Sequence, residues 1–200
     1  CSSDLSQGHL AIMGSSTLNV RGRSGKGGSA ALLGDHIDLL DATQVDATGA
    51  TGGGTVLVGG DWQGRNGVYQ ATTVKMGEKV VIDASATQQG EGGKLVLWSD
   101  VHNADSVTTA QGSLYAKGGQ NGGNGGQIET SGARLEMGGQ LAVNAGSTAG
   151  QGGLWLIDQK QFLNADDPAD FDELSSSLFY PRVRFTSSLT YAPNEIWSVN

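Results

Sequence analysis

Two sets of aspartates recur at matching positions and could do acid–base chemistry. Asp46 and Asp83 follow an apolar residue in the triplets Val45-Asp46-Ala47 and Ile82-Asp83-Ala84, while Asp61 and Asp100 each close an apolar run. Stacked on neighbouring turns of the chain, such acids would form a ladder, and hydrolysis of a glycosidic bond needs two carboxyls roughly 5 to 9 Å apart. The matching triplets further on read Leu114-Tyr115-Ala116 and Leu141-Ala142-Val143 and lack the acid. An aspartate beside a turn also commonly binds its own backbone. These acids are therefore expected to serve turns, and the chain is expected not to be an enzyme.

Metal and cofactor chemistry finds little support. His9, His36 and His102 are far apart and lack the spacing of a zinc site. Gly59-Gly60-Asp61 has the glycine and aspartate of calcium-binding repeat turns, without the nine-residue recurrence that such sites need. No nucleophile elbow, phosphate-binding lysine loop or zinc-protease pair occurs. No metal and no cofactor is expected. The formal charge is -8, and the 12 Lys and Arg residues are spread without a basic block, which argues against nucleic acid as a partner.

Binding residues stand where the pattern is interrupted. Residues 62–71 break the repeat and carry Trp62, Arg65, Asn66 and Tyr69, and a shorter break at 101–106 carries His102. Insertions in repetitive folds map to loops on one side, often the binding side. These five residues are thus candidate contacts for a glycan or protein on a host surface or in a matrix. The competing expectation is that Trp62 and Tyr69 fold back over apolar edges. Cys1 is the single cysteine, so no internal disulfide can form. A mature chain opening Cys-Ser-Ser suits a bacterial lipoprotein, which makes Cys1 a candidate lipid anchor.

The elements that would position these residues come in five copies. Glycine pairs at 27–28, 53–54, 92–93, 125–126 and 152–153 each open a short apolar run, at spacings of 26, 39, 33 and 27 residues. Ahead of each pair lies an apolar triplet: Leu18-Asn19-Val20, then the four already named. Such units cannot bury their own apolar face and must stack on one another. The recurrence is too long for hairpins, and no helical pattern supplies a crossover, so the runs are read as parallel strands of successive coils. Inward Val, Leu and Ile would form ladders, with Ala47, Ala84, Ala116 and Ala145 closing corners. Six to eight coils would make a rod on the order of 30 to 40 Å long. The glycine-dense turn at 118–126 suits tight corners and positive φ.

From about residue 162 the character changes. Glycine is absent after Gly153, the three prolines stand at 168, 181 and 193, and Asp166, Asp167, Asp170, Asp172 and Glu173 form an acidic cluster. The division is thus a solenoid over 1–161 and a segment over 162–200 that caps the coil or contacts another subunit. Residues 168–178 fit one helix, with strands at 182–186 and 189–191. An open sheet end invites pairing, so a non-repetitive cap is expected there; the alternative is strand addition to a second copy through this tail, where Tyr191 and Trp197 are candidate contacts.

Residues 52–64, 82–86, 92–100, 122–132 and 152–158, which include Gly-Gly-Gly-Thr-Val-Leu-Val-Gly-Gly-Asp-Trp-Gln-Gly and Gly-Gly-Lys-Leu-Val-Leu-Trp-Ser-Asp, resemble the repetitive shaft of the filamentous-haemagglutinin-like adhesins. These large exoproteins leave Gram-negative bacteria by two-partner secretion. The resemblance implies an all-β, right-handed parallel β-helix, export to the outer membrane surface or beyond, and a role in attachment or biofilm. Two departures stand out: Gln159 replaces the usual proline after the Trp155-Leu156-Ile157-Asp158 segment, and the Asn-Pro-Asn motifs of the secretion domain are missing. No catalytic residues carry over. The leading reading is an extracellular adhesive or structural protein. Its rivals are a filament subunit that self-associates end to end and a polysaccharide-binding or polysaccharide-degrading module.

Overall fold

The structure, a computed structural model, describes residues 2–3, 8–138, 141–159 and 182–184. Its strands, numbered in chain order, fall into three sheets that wind around one axis. Sheet A contains β1 (Ser2–Ser3), β4 (Ser29–Leu32), β7 (Thr55–Val58), β10 (Lys94–Trp98), β13 (Gln127–Gly132), β16 (Leu154–Gln159) and β17 (Arg182–Arg184). Sheet B holds β2 (His9–Ile12), β5 (His36–Leu39), β8 (Thr73–Met76), β11 (Val107–Ala110) and β14 (Arg134–Met137). Sheet C holds β3 (Thr17–Asn19), β6 (Gln44–Asp46), β9 (Val81–Asp83), β12 (Ser113–Tyr115) and β15 (Ala142–Asn144).

The chain visits A, B and C in turn, and each strand pairs in parallel with its counterpart one coil on. This is a parallel β-helix, as the repeats predict. The described residues form five complete coils and the opening strand of a sixth, fewer than the six to eight expected, because the excursions use chain without adding strands. At about 4.8 Å per coil the stack is roughly 25 Å long. β17 is the exception in direction: it lies antiparallel to β16, with Val183 opposite Trp155, so this part of the tail pairs within its own chain. The helix expected at 168–178, the strand at 189–191, Cys1, Tyr191 and Trp197 lie outside the described residues.

Inward columns make the core. Ala30, Val56, Leu95, Ile128 and Trp155 line up from sheet A; Ile37, Val74, Thr108 and Leu135 from sheet B; Leu18, Val45, Ile82, Leu114 and Val143 from sheet C. Most of these side chains are fully buried, which is worth roughly 1.5 to 3 kcal/mol for each large aliphatic one. Two buried threonines keep partners: Thr130, in register with Val58 and Leu97, accepts from the Trp155 indole N–H at 3.0 Å, and Thr108 donates to the Ser131 carbonyl at 2.7 Å.

The register corrects one alignment made from the sequence. Leu114 pairs with Val143, so the fifth triplet is Val143-Asn144-Ala145 rather than Leu141-Ala142-Val143. The recurring polar position is therefore Asn19, Asp46, Asp83, Tyr115 and Asn144. Its four Asn and Asp members each accept from the backbone N–H two residues on, at 2.8 to 3.0 Å, and so build the turn out of sheet C. Asp46 and Asp83 do stand side by side, yet as turn formers.

After that turn the chain doubles into sheet A through the glycine pair. The second glycine donates its N–H across its own corner, to the carbonyl of the residue that closes the preceding triplet: Gly54 to Ala47, Gly93 to Ala84 and Gly126 to Ala116, at 2.7 to 2.8 Å. A Cβ on Gly54, Gly93, Gly126 or Gly153 would fall 2.0 to 2.1 Å from the carbonyl oxygen of the preceding such glycine. Close approach, not positive φ, demands glycine here. Positive φ appears instead within the dense turn, at Gly122 and Gly123.

Substituting Gly93→Ala should therefore lower stability by roughly 2 to 4 kcal/mol, seen as an earlier thermal transition by circular dichroism. Gly25→Ala, where a Cβ meets nothing within 4 Å, should leave the transition within about half a kcal/mol.

Candidate functional site

A strand of sheet A alternates in and out, but β10 is buried on both faces over Leu95, Val96, Leu97 and Trp98. Something must cover its outer side. The cover is the excursion between Val58 and Ala71, which rejoins the helix where Ala71 bridges Ser99. Trp62 and Leu57 pack against Val96, Trp98 and Val101, a second apolar cluster outside the barrel of coils. The Trp98 ring lies so close to the backbone of Gly60 and Gly64 that a Cβ on either would come within 2.5 to 2.7 Å of it, and its indole N–H donates to Gln70 at 2.9 Å.

Polar contacts pin the excursion at its other points. Asp61 accepts the Trp62 N–H at 2.7 Å and the Asn66 amide at 2.7 Å, opening a single 3-10 turn over Trp62–Gly64. The Lys94 ammonium, from β10, donates to Asp61 Oδ1 at 2.7 Å. Gln63, held at a φ of +54°, donates its N–H to Glu129 Oε2 at 2.9 Å, while the Ser131 hydroxyl donates to Oε1 at 2.9 Å. A left-handed backbone at a non-glycine residue costs on the order of 1 kcal/mol, which this hydrogen bond helps offset.

Glu129 is the anomaly of the site. Its outward column reads Ala31, Leu57, Val96, Glu129 and Leu156, so its neighbours on both adjacent strands are apolar, and none of its surface is exposed. Burial drives its carboxyl up to about 7, against the pull of the Gln63 and Ser131 hydrogen bonds and with added repulsion from Asp158 and Asp61. Asp158 is raised to about 6, again by burial, with His102 opposing. Asp61 goes the other way: burial pushes it up, but the hydrogen bonds from Lys94, Asn66 and the Trp62 N–H outweigh that and hold it below the ordinary range.

The expected site residues divide accordingly. Trp62 and Asn66 join this assembly, with Trp62 half-buried as a cover and Asn66 spent on Asp61. Arg65 is exposed at the tip, and Tyr69 is half-buried. His102 is exposed on the turn after β10, where it faces Asp158. Asp61 and Asp100 are not equivalent, because the nine residues between Asp61 and Ala71 leave the stack; Asp100 instead caps its own turn by accepting from the His102 N–H at 2.9 Å. Among the other histidines, His9 pairs with Asp38 at 2.7 Å and His36 with the Thr73 hydroxyl at 2.8 Å on the outer face of sheet B.

Sequence reasoning passed over Glu129, Asp158, Lys94 and Trp98. Two signals could have found them. The unbroken run Leu95-Val96-Leu97-Trp98 reads as a strand buried on both faces, and Gln-Ile-Glu-Thr, aligned on its glycine pair, puts an acid where the other copies carry Leu57, Val96 and Leu156.

Comparison with known proteins supports this architecture. No protein-family model matches the chain, and no curated protein matches it in sequence. Among solved structures it is similar to the HMW1 secretion domain from Haemophilus influenzae, with a TM-score of 0.57 and 26% sequence identity. The match covers 71% of this chain and 35% of that one, so the chain spans about a third of its structural neighbour. Among the described residues no helix is long and apolar enough to cross a membrane.

The buried acid has a consequence for stability. Glu129 titrates near 7 in the folded chain and near 4.5 when exposed by unfolding. Between those values the native state holds the extra proton, so stability falls as pH rises through this window and levels off above it. Asp158 adds the same sign below about 6. Asp61 contributes oppositely, with stability lost only as pH drops below the ordinary aspartate range. Glu129→Gln should remove most of the decline between pH 5.5 and 8 and stabilise the protein at pH 8 by about 2 kcal/mol, measured by urea unfolding at both pH values.

Proposed function

We propose that this chain is part of an exported β-helical protein of a Gram-negative surface, serving attachment or matrix formation without catalysis. The observation that carries the reading is its likeness to a secretion domain over most of its length, at 26% identity. The resemblance of the repeats to the shaft of filamentous-haemagglutinin-like adhesins points the same way. Against catalysis stands the placing of the acids: Glu129 lies wholly under the excursion, and Asp61 is committed to Lys94 and Asn66. Contact with a partner falls to the exposed side of that excursion, where Arg65 projects from a short loop anchored at Asp61, Gln63 and Gln70.

Antibodies raised against the purified chain should label intact cells that produce it, or their culture medium. Labelling that appears only after lysis would overturn the export reading. Arg65→Ala with Tyr69→Ala should weaken attachment of the purified protein to glycan or host-cell surfaces by about tenfold while leaving the thermal transition in place; attachment indifferent to both changes would remove the excursion from the contact.

A further inference from the structure

The excursion hides an apolar strip and rests on an acid that has no good place to be charged. Leu57, Val96 and Trp98 form the strip on the outer face of sheet A, and Glu129 continues the column of Leu57 and Val96. Around Glu129 the charges do not balance. Asp61 faces it from the excursion and Asp158 from β16; Lys94, from β10, is bound to Asp61 at 2.7 Å; His102, from the following turn, faces Asp158. Three carboxyls thus share one lysine, and the carboxyl with no surface at all is the one flanked by Val96 and Leu156.

A buried carboxylate without a cation costs several kcal/mol unless it takes up a proton or reaches water. Strands β10, β13 and β16 are locked in register on both sides, so Glu129 cannot reach water by moving its own strand. What can move is the cover, whose direct hold on Glu129 is a single backbone hydrogen bond from Gln63, a residue already in a left-handed conformation.

We propose that residues 59–70 form a proton-operated cover: with Glu129 protonated they lie closed on sheet A, and ionisation of Glu129 lifts them and uncovers Leu57, Val96 and Trp98. The coil stack itself takes no part, because Glu129 lies on its outer face while the strands on either side stay paired in register. The device works whatever partner the surface binds. An apolar strip open at neutral to alkaline pH and sealed in mild acid would make contact with apolar partners depend on the acidity outside the cell.

The size of the effect follows from linkage. A carboxyl titrating near 7 under the cover and near 4.5 once the cover lifts favours opening by ~30-fold more at pH 8 than at pH 5.5. Hydrogen exchange read by mass spectrometry, corrected for the intrinsic pH dependence of exchange, tests this on the whole chain. Protection of residues 60–70 should fall by about that factor from pH 5.5 to 8, while peptides from β5, β8 and β12 keep theirs. Glu129→Gln should hold the excursion protected at both values. Asp158→Asn, which removes a repelling charge, should move the transition to lower pH, and it serves as the arm that remains if Glu129→Gln fails to fold. Constant protection in the excursion, an equal fall in Glu129→Gln, a transition unmoved by Asp158→Asn, or loss of protection across all coils together would each overturn the proposal.

Discussion

Each coil turns from sheet C into sheet A through a corner where two glycines pass against the backbone of the neighbouring coils. The second glycines of the pairs lie in a column in which a Cβ on one would sit about 2 Å from the carbonyl of the one before. The first glycines lie equally close to the corner alanine carbonyls: a Cβ on Gly53 would be 1.8 Å from that of Ala84, and one on Gly92 2.0 Å from that of Ala116. Everything else in the helix follows from this contact. It fixes the register of sheet A, which in turn sets which residues of each run face inward. It also lets corner N–H and C=O groups satisfy each other, as Gly54 does with Ala47 and Gly93 with Ala84. Ordering so much glycine is entropically costly. The continuous columns of Val, Leu and Ile, each residue buried by the coil above and the coil below, supply the compensation.

A solenoid of this kind has plain outer faces unless chain is diverted over one of them. Here the diversion covers sheet A, and it turns part of an outer face into a second small core around Trp98. The price is an acid in a dry place. Most of the molecule obeys local rules, with apolar residues inward, turn formers after sheet C and exposed polar groups in pairs such as His9 with Asp38. Glu129 breaks them, and breaches of that sort concentrate where a protein does something beyond folding. Asp61 shows that the same loop can hold an ionised carboxylate comfortably when an ammonium and two further donors meet it. The contrast between these two acids, a few residues of packing apart, comes from partners and not from residue type.

The likeness to a secretion domain covers 71% of this chain. A frame of stacked coils constrains function little, since its outer surface is free to vary while its corners and columns are not. The parts of this chain that depart from the repeat are the excursion after Val58, the turn after Trp98 and the acids they gather.

Much of the frame was legible from the sequence alone. Glycine pairs ahead of apolar runs, recurring at 26 to 39 residues, specify parallel coils because no other arrangement buries such short runs without hairpins or helices. The alternation of Val56 and Val58, or of Ile37 and Leu39, tells which side faces in. Turn formation by Asp46 and Asp83 was readable too, as a property of aspartate beside its own backbone. The fifth triplet was not, because Leu141 and Val143 are both apolar and only pairing with Leu114 selects one. Nor was the acid site: Asp61, Lys94, Glu129 and Asp158 are scattered over some hundred residues, and no local pattern connects them. The tertiary structure brings them together because the coil pitch sets β7, β10, β13 and β16 side by side and because one loop folds back over them. Local propensity and periodicity thus determine the coil, while burial, which is a property of what lies across from a residue, decides that Glu129 is an acid short of a partner.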